Sequence, residues 1–301
     1  MITTILGKAA GFYSQLFFSI NHYLYAKKNN LSFKVKSDEW LFKFKNGWDD
    51  YFKNIDIKMN NIDDLNNSCF GHHQQIFEFT ITEYKNAIKE IYIYNDVVYK
   101  KIQKIKEQLC LKENYDAIFI RRGDKLSGES NFINTEEYIV TLLLKKPNCH
   151  TIFVQTDDFN CYLDVKQYVK SKQLNINVIT LCKEELKGGM IIFNCNKSGI
   201  EWAVKEHNIN KEYISTVLEN LRTTTPIDKL NNEQIYEHTL DMLIGIDIVL
   251  EADVVICDYS SNVSRFIKLA NKDSKNVFDV TNPEKDINWN YTKCPAFELL
   301  F

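Results

Sequence analysis

From about residue 113 onward, short apolar runs alternate with amphipathic segments, and this alternation constrains the fold more than any other feature. The runs are AIFI (117–120), TIFVQ (151–155), NVITL (177–181), VVIC (254–257) and NVFDV (276–280). Helical patterns lie between them: Thr135 to Lys145, Cys161 to Lys172, Gln234 to Glu251 and Asn262 to Asn271. Strands alternating with helices predict βαβ units and a parallel sheet covered on both faces. Such sheets bind ligands at the carboxyl ends of their strands. The informative residues are therefore those just after each apolar run.

The first third of the chain reads differently. Ile2 to Leu6 predicts a strand, and Gly11 a turn into a helix carrying Leu16, Ile20, Tyr23 and Leu24 on one face. Leu31 to Trp40 alternates like an exposed strand. Asn46 to Phe52 sets Trp48 and two further aromatics beside acids, and residues 83–112 read as a lysine-rich, solvated helix. With 301 residues, two domains are expected: residues 1–112 and residues 113–301.

Composition excludes several classes. A net charge of −3 gives no global basic field, so nucleic acid is not an expected partner. No stretch reaches the ~18 apolar residues of a membrane span. The N-terminus makes a poor signal peptide, because Gln15, Ser19, Asn21 and His22 interrupt its apolar run. Eight cysteines without a C-x-x-C pair read as reduced, buried thiols rather than a zinc site or disulfide framework. A cytoplasmic protein is the expectation.

Three strand ends carry polar clusters. After AIFI come Arg121, Arg122, Gly123, Asp124 and Lys125, with Glu129 four residues further on. Guanidinium forks match phosphate oxygens and lysine adds a point charge; a surface salt-bridge knot of Arg with Asp is the plainer reading. After TIFVQ come Thr156, Asp157 and Asp158, which either cap the next helix or receive donors from a ligand. After VVIC come Asp258, Tyr259, Ser260, Ser261 and Asn262, leading into a helix with Arg265. Hydroxyls and free N–H groups at a helix start form an anion site, or simply a cap. Neither a P-loop nor a G-x-G-x-x-G fingerprint occurs. The contiguous Asp157-Asp158 suits one metal ion poorly.

Taken in order, these motifs resemble the α1,6-fucosyltransferase superfamily, which includes the eukaryotic core fucosyltransferases and bacterial nodulation fucosyltransferases. Arg121-Arg122-x-Asp124-Lys125, Thr156-Asp157-Asp158 and Ser260-Ser261 followed by Arg265 are similar to three of its motifs. Gly11-Phe-Tyr-Ser-Gln15-Leu16 resembles its early glycine turn, and Asn46-Gly47-Trp48 to Phe52 its Gly-Trp segment. The resemblance spans roughly residues 5–270.

It implies a GT-B-like fold of two Rossmann-like α/β domains with the donor site between them. It also implies GDP-fucose as donor, no metal ion, inversion at the anomeric carbon, and a glycan or glycoconjugate as acceptor. By the same resemblance, Arg121 and Lys125 hold the β-phosphate, and Arg122 and Asp124 build the loop. Glu129 is the base, Asp157 and Asp158 match the second motif, and Ser260 and Ser261 meet the diphosphate. Two positions depart from the pattern: Phe119 replaces a histidine and Gly245 an aspartate, both nucleoside contacts in the family. Asp241 and Asp247 are the candidate substitutes for the missing acid. The SH3-like tail of the eukaryotic enzymes is not expected. Another nucleotide-sugar donor, an inactive sugar-nucleotide or glycan-binding module and a phosphate-ester hydrolase are the competing readings.

Overall fold

The structure is a computed structural model that describes residues 2–8, 10–55, 79–111, 114–123, 132–187, 189 and 227–286. The chain divides into two units, one holding residues up to Lys100 and the other running from Lys101 to Asp286.

In the first unit, β1 (Ile2–Ile5) and β2 (Phe33–Lys36) pair in parallel through α1 (Phe12–Lys28). Parallel strands need such a crossover. α1 buries residues on most of its circumference, including Leu16, Ile20 and Tyr23. Gln15 is buried and stitches the preceding loop: Gly7 donates to its Oε1 at 2.8 Å, and its Nε2 donates to the carbonyls of Gly7 and Ala10.

The expected exposed strand from Leu31 to Trp40 is only four residues long. Trp40 instead turns inward to an aromatic cluster with Phe12, Phe42, Trp48 and Tyr51. Gly47 sits at φ +67, and a Cβ there would strike Ser37, whose hydroxyl accepts from Trp48 N–H.

The single helix expected over residues 83–112 is two: α2 (Ile81–Ile91) and α3 (Asp96–Gln108). A Thr80–Glu83 capping box opens α2. Between them Tyr94 bridges Phe52, Lys53 N–H donates to Ile93 and Asn95 N–H to Tyr51. Pairing with that segment outweighs helix continuation, and the Asn95 side chain then accepts from Val98 N–H and starts α3.

The second unit holds a five-stranded, wholly parallel sheet of order β5-β4-β3-β6-β7. Its strands are β3 (Asp116–Ile120), β4 (Thr151–Thr156), β5 (Asn177–Thr180), β6 (Val255–Cys257) and β7 (Val277–Asp279). Besides the part of α3 from Lys101 on, its described α-helices are α4 (Thr135–Lys145), α5 (Phe159–Ser171), α6 (Asn232–Glu251) and α7 (Asn262–Ala270).

Alternation along the strands divides the core. Ile118, Ile120, Ile152, Val154 and Ile256 face Tyr138, Ile139 and Leu142 of α4 and Val165 of α5. The intervening residues Phe119, Gln155 and Cys257 face the other way, where α6 packs on β3 and β4. At the amino ends of the strands, Lys146 pairs with Asp116 and Asp253, and Lys272 pairs with Asp253. Chain order reverses between β3 and β6, so the crevice that parallel sheets use for ligands opens at the carboxyl ends of those two strands.

Five cysteines among the described residues are free, and Cys149, Cys161 and Cys257 are buried, as expected for reduced thiols. Cys69, Cys195 and Cys294 lie outside the described residues. No helix among the described residues is long and apolar enough to cross a membrane.

Candidate active site at the carboxyl end of the parallel sheet

Strand register brings the three polar clusters together. Ile120 stands opposite Thr156, and Phe119 opposite Cys257. Continuing each ladder by a residue or two sets Arg121 beside Asp157 on one side and beside the Asp258-Tyr259 turn on the other. Neighbouring strands lie about 4.8 Å apart, so segments separated by some 140 residues share one edge.

Arg121 and Arg122 take opposite directions. Arg121 leaves the strand end toward Asp157 and forms an ion pair with its carboxylate; both side chains are mostly buried. The second Asp157 oxygen accepts from Arg122 N–H at 2.7 Å. Asp157 therefore holds both the first guanidinium and the backbone of the turn. Arg122 is 1 % exposed. Its guanidinium donates to the Ile133 carbonyl at 2.6 Å and lies over the Phe132 ring. Its charge also reaches Tyr138, Cys161 and Asp164. Burial pushes the Asp164 carboxyl up, while the Thr135 hydroxyl and the Arg122 charge pull it down. Arg122 is thus built into the interior against the start of α4.

Gly123 has φ +66, the turn its identity predicted. A contact absent from the sequence reading explains its surroundings. Gly189, at φ +87, packs so closely that a Cβ would fall on the Gly123 backbone. The loop after β5 thus crosses to the end of β3. On the way the Leu186 carbonyl accepts Phe159 N–H at the start of α5. The sequence signal was the Gly188-Gly189 pair, a loop marker whose partner only the tertiary structure supplies.

Asp158 is fully buried and caps α5 by accepting from Asn160 N–H, with its own N–H donating to Thr156. Ser261 caps α7 by accepting from Val263 N–H. Ser260 is exposed, and its N–H and hydroxyl both bond Asp258. Arg265 follows one turn later, its Nε donating to the Tyr259 carbonyl and its Nη1 to Asn262. The cluster presents a hydroxyl, a helix start and a second guanidinium beside the β3 end, an arrangement suited to an anion. Gly11, in the other unit, precedes the first residue of α1 in extended backbone. Asp124, Lys125, Ser127, Gly128 and Glu129 lie outside the described residues. At the start of α4, Glu137 accepts Asn134 N–H as part of the capping box that opens the helix.

The two departures from the family pattern meet on one sheet face. Phe119 is paired in register with Gln155, and Gln155 packs its carboxamide against Gly245 of α6. Of the two candidate acids, Asp247 belongs to another face, bound to Lys106 together with Glu251. Burial pushes its carboxyl up, against the pull of Lys106. Asp241 lies one turn before Gly245 on the same face and pairs with Lys183 from the β5 loop at 2.8 Å. Burial, then the Lys183 charge, pushes the nearby His238 imidazole down.

No family model and no curated protein matches the chain. Solved structures do. A NodZ α-1,6-fucosyltransferase soaked with GDP-fucose aligns at a TM-score of 0.56 and 11 % identity, over 94 % of this chain and 97 % of that one. The fold is that of the NodZ fucosyltransferases. Two further NodZ structures from Bradyrhizobium align at TM-scores of 0.54 and 0.52, with 12 % and 11 % identity. They cover 94 % and 89 % of this chain, and 96 % and 93 % of theirs. The NodZ likeness bears out the GT-B-like α/β class expected from the sequence, across nearly the whole length of both chains.

Proposed function

We propose that this protein is an inverting, metal-independent glycosyltransferase that moves fucose from GDP-fucose to a glycan hydroxyl. The observation that carries the reading is the convergence of Arg121 with the Ser260-Ser261 helix start at the strand-order reversal of a parallel sheet. The NodZ likeness supports it, one of those structures having been soaked with GDP-fucose.

In the reaction the bond between the anomeric carbon and the diphosphate oxygen breaks, and its electron pair leaves with GDP. The acceptor oxygen bonds to the opposite face of that carbon, and its proton passes to a carboxylate, assigned to Glu129. Charge accumulating on the leaving diphosphate is met by fixed cations and N–H groups. Arg121, Lys125, the α7 start and Arg265 supply them. Asp157 positions Arg121, Asp158 sets the start of α5, and Arg122 and Asp124 shape the loop. The acceptor is a glycan or glycoconjugate.

A second reading, another nucleotide-sugar donor, is favoured by one observation: a Gln155 carboxamide where Gly245 leaves room for it, beside the apolar Phe119. Incubating the full chain with GDP-fucose, GDP-mannose, UDP- and dTDP-sugars separates the two. Nucleoside diphosphate released from GDP-fucose alone supports the first reading, and release from another donor supports the second. Binding without release is the outcome for an inactive module.

A further inference from the structure

The Gln155 carboxamide is poorly accounted for by folding. Its Oε1 is buried and has no hydrogen-bond partner among the described residues. Leaving an acceptor in that state is costly, so a native structure that keeps one calls for an explanation. Around it the surfaces are specific. Phe119, its register partner on β3, offers a buried apolar ring. Gly245 lets the amide lie against α6, because any side chain there would fall on it. A glycine in the middle of a 20-residue helix is otherwise unfavourable. α6 leads directly into β6 and so starts at the carboxyl end of the sheet. Asp241 and its Lys183 partner, one turn nearer that start, therefore form a charged rim.

One amide held against α6 beside an apolar ring matches the edge and one face of a planar base. A hexose would demand several hydroxyl partners. We infer that Gln155, seated between Phe119 and Gly245, is the residue through which this site selects the base of its nucleotide donor. The inference rests on the nucleotide-sugar reading of the same site. A carboxamide sets one acceptor beside donors and pairs with an edge that alternates likewise, such as guanine O6 with N1–H or uracil O4 with N3–H. A carboxylate in that position offers acceptors only and suits the adjacent N1–H and N2–H groups of guanine.

The test is calorimetric binding of GDP, ADP, UDP, CDP and inorganic pyrophosphate to the full chain. The wild type is expected to separate its best from its worst nucleotide by at least about tenfold. Gln155→Leu, with Gln155→Met as a second replacement, is expected to reduce that ratio about fivefold or more and to leave pyrophosphate within about twofold. Gly245→Ala should reduce the ratio as well, by displacing the carboxamide, and Gln155→Glu should move the preference toward GDP. A ratio unchanged in the folded Gln155 variants and in Gly245→Ala overturns the inference, as does a wild type that binds all four nucleotides equally. In both cases the nucleotide-sugar reading stands. A wild type that binds none of them removes both.

Discussion

Arg121 at the end of β3 and Asp157 at the end of β4 form an ion pair across adjacent parallel strands, and Asp157 also accepts the N–H of Arg122. One carboxylate thus fixes both a cation and the turn that carries it. Asp157→Ala removes both interactions, one of them the ion pair of a mostly buried guanidinium, which costs about 3 kcal/mol. Chemical denaturation should show that loss. Asp157→Asn keeps an acceptor for the turn and is expected to lose less.

The two arginines should separate in a single comparison. Arg122 is buried and donates to the Ile133 carbonyl, so Arg122→Ala should lower stability by about 3 kcal/mol. That corresponds to a fall in Tm of roughly 6–12 °C for a unit of this size. Arg121→Ala is expected to lower Tm less, while reducing kcat/KM for the nucleotide sugar about a hundredfold or more, the scale of losing one preorganised contact to developing charge. Thermal melts and initial rates on the same preparations check both.

Gly189 and Gly123 make a prediction that depends on backbone alone. Gly189→Ala places a Cβ on the Gly123 backbone at a φ of +87, and relief requires moving the end of β3 or the β5 loop. A stability loss of about 1–3 kcal/mol is expected, with weaker donor binding. The neighbouring Lys187→Ala, which leaves that contact in place, is the control. Equal donor affinity in both variants would detach the β5 loop from the site.

At the opposite end of the sheet, Asp253 has its carboxyl held below the usual range, first by the Lys272 hydrogen bond and then, against some burial, by Lys146. A carboxyl with a depressed folded pKa adds stability above its unfolded pKa of about 3.9, and that stability is lost as pH falls through the folded value. Asp253→Asn should therefore cost about 1 kcal/mol at pH 7, discounted for partial exposure. The gap between wild type and variant should close as pH falls below about 4, as urea titrations across that range would record.

Legibility of the fold followed the locality of its causes. α4 begins and ends where its pattern predicted, Thr135 to Lys145, because its amphipathic period and its Asn134 and Glu137 start signal are local. The strands β3 to β7 were legible as short apolar runs, and register then brought their polar ends together. The division of residues 83–112 into two helices was not legible, since the break at Tyr92–Asn95 comes from pairing with Tyr51–Lys53. Nor was the inward turn of Trp40, which follows from rings distant in sequence. In the site, the charged residues announced themselves by type. Gly189 and Gln155 did not, because a close approach and an unpaired acceptor are properties of packing.

The central claim is donor cleavage at the Arg121 strand end without a metal ion. Its most direct measurement is the rate of GDP release from GDP-fucose by the full chain in excess EDTA, for the wild type, Arg121→Ala and Glu129→Gln. The account predicts release by the wild type that persists in EDTA and falls about a hundredfold or more in each variant. Release abolished by EDTA, or variants that keep the wild-type rate, would contradict it.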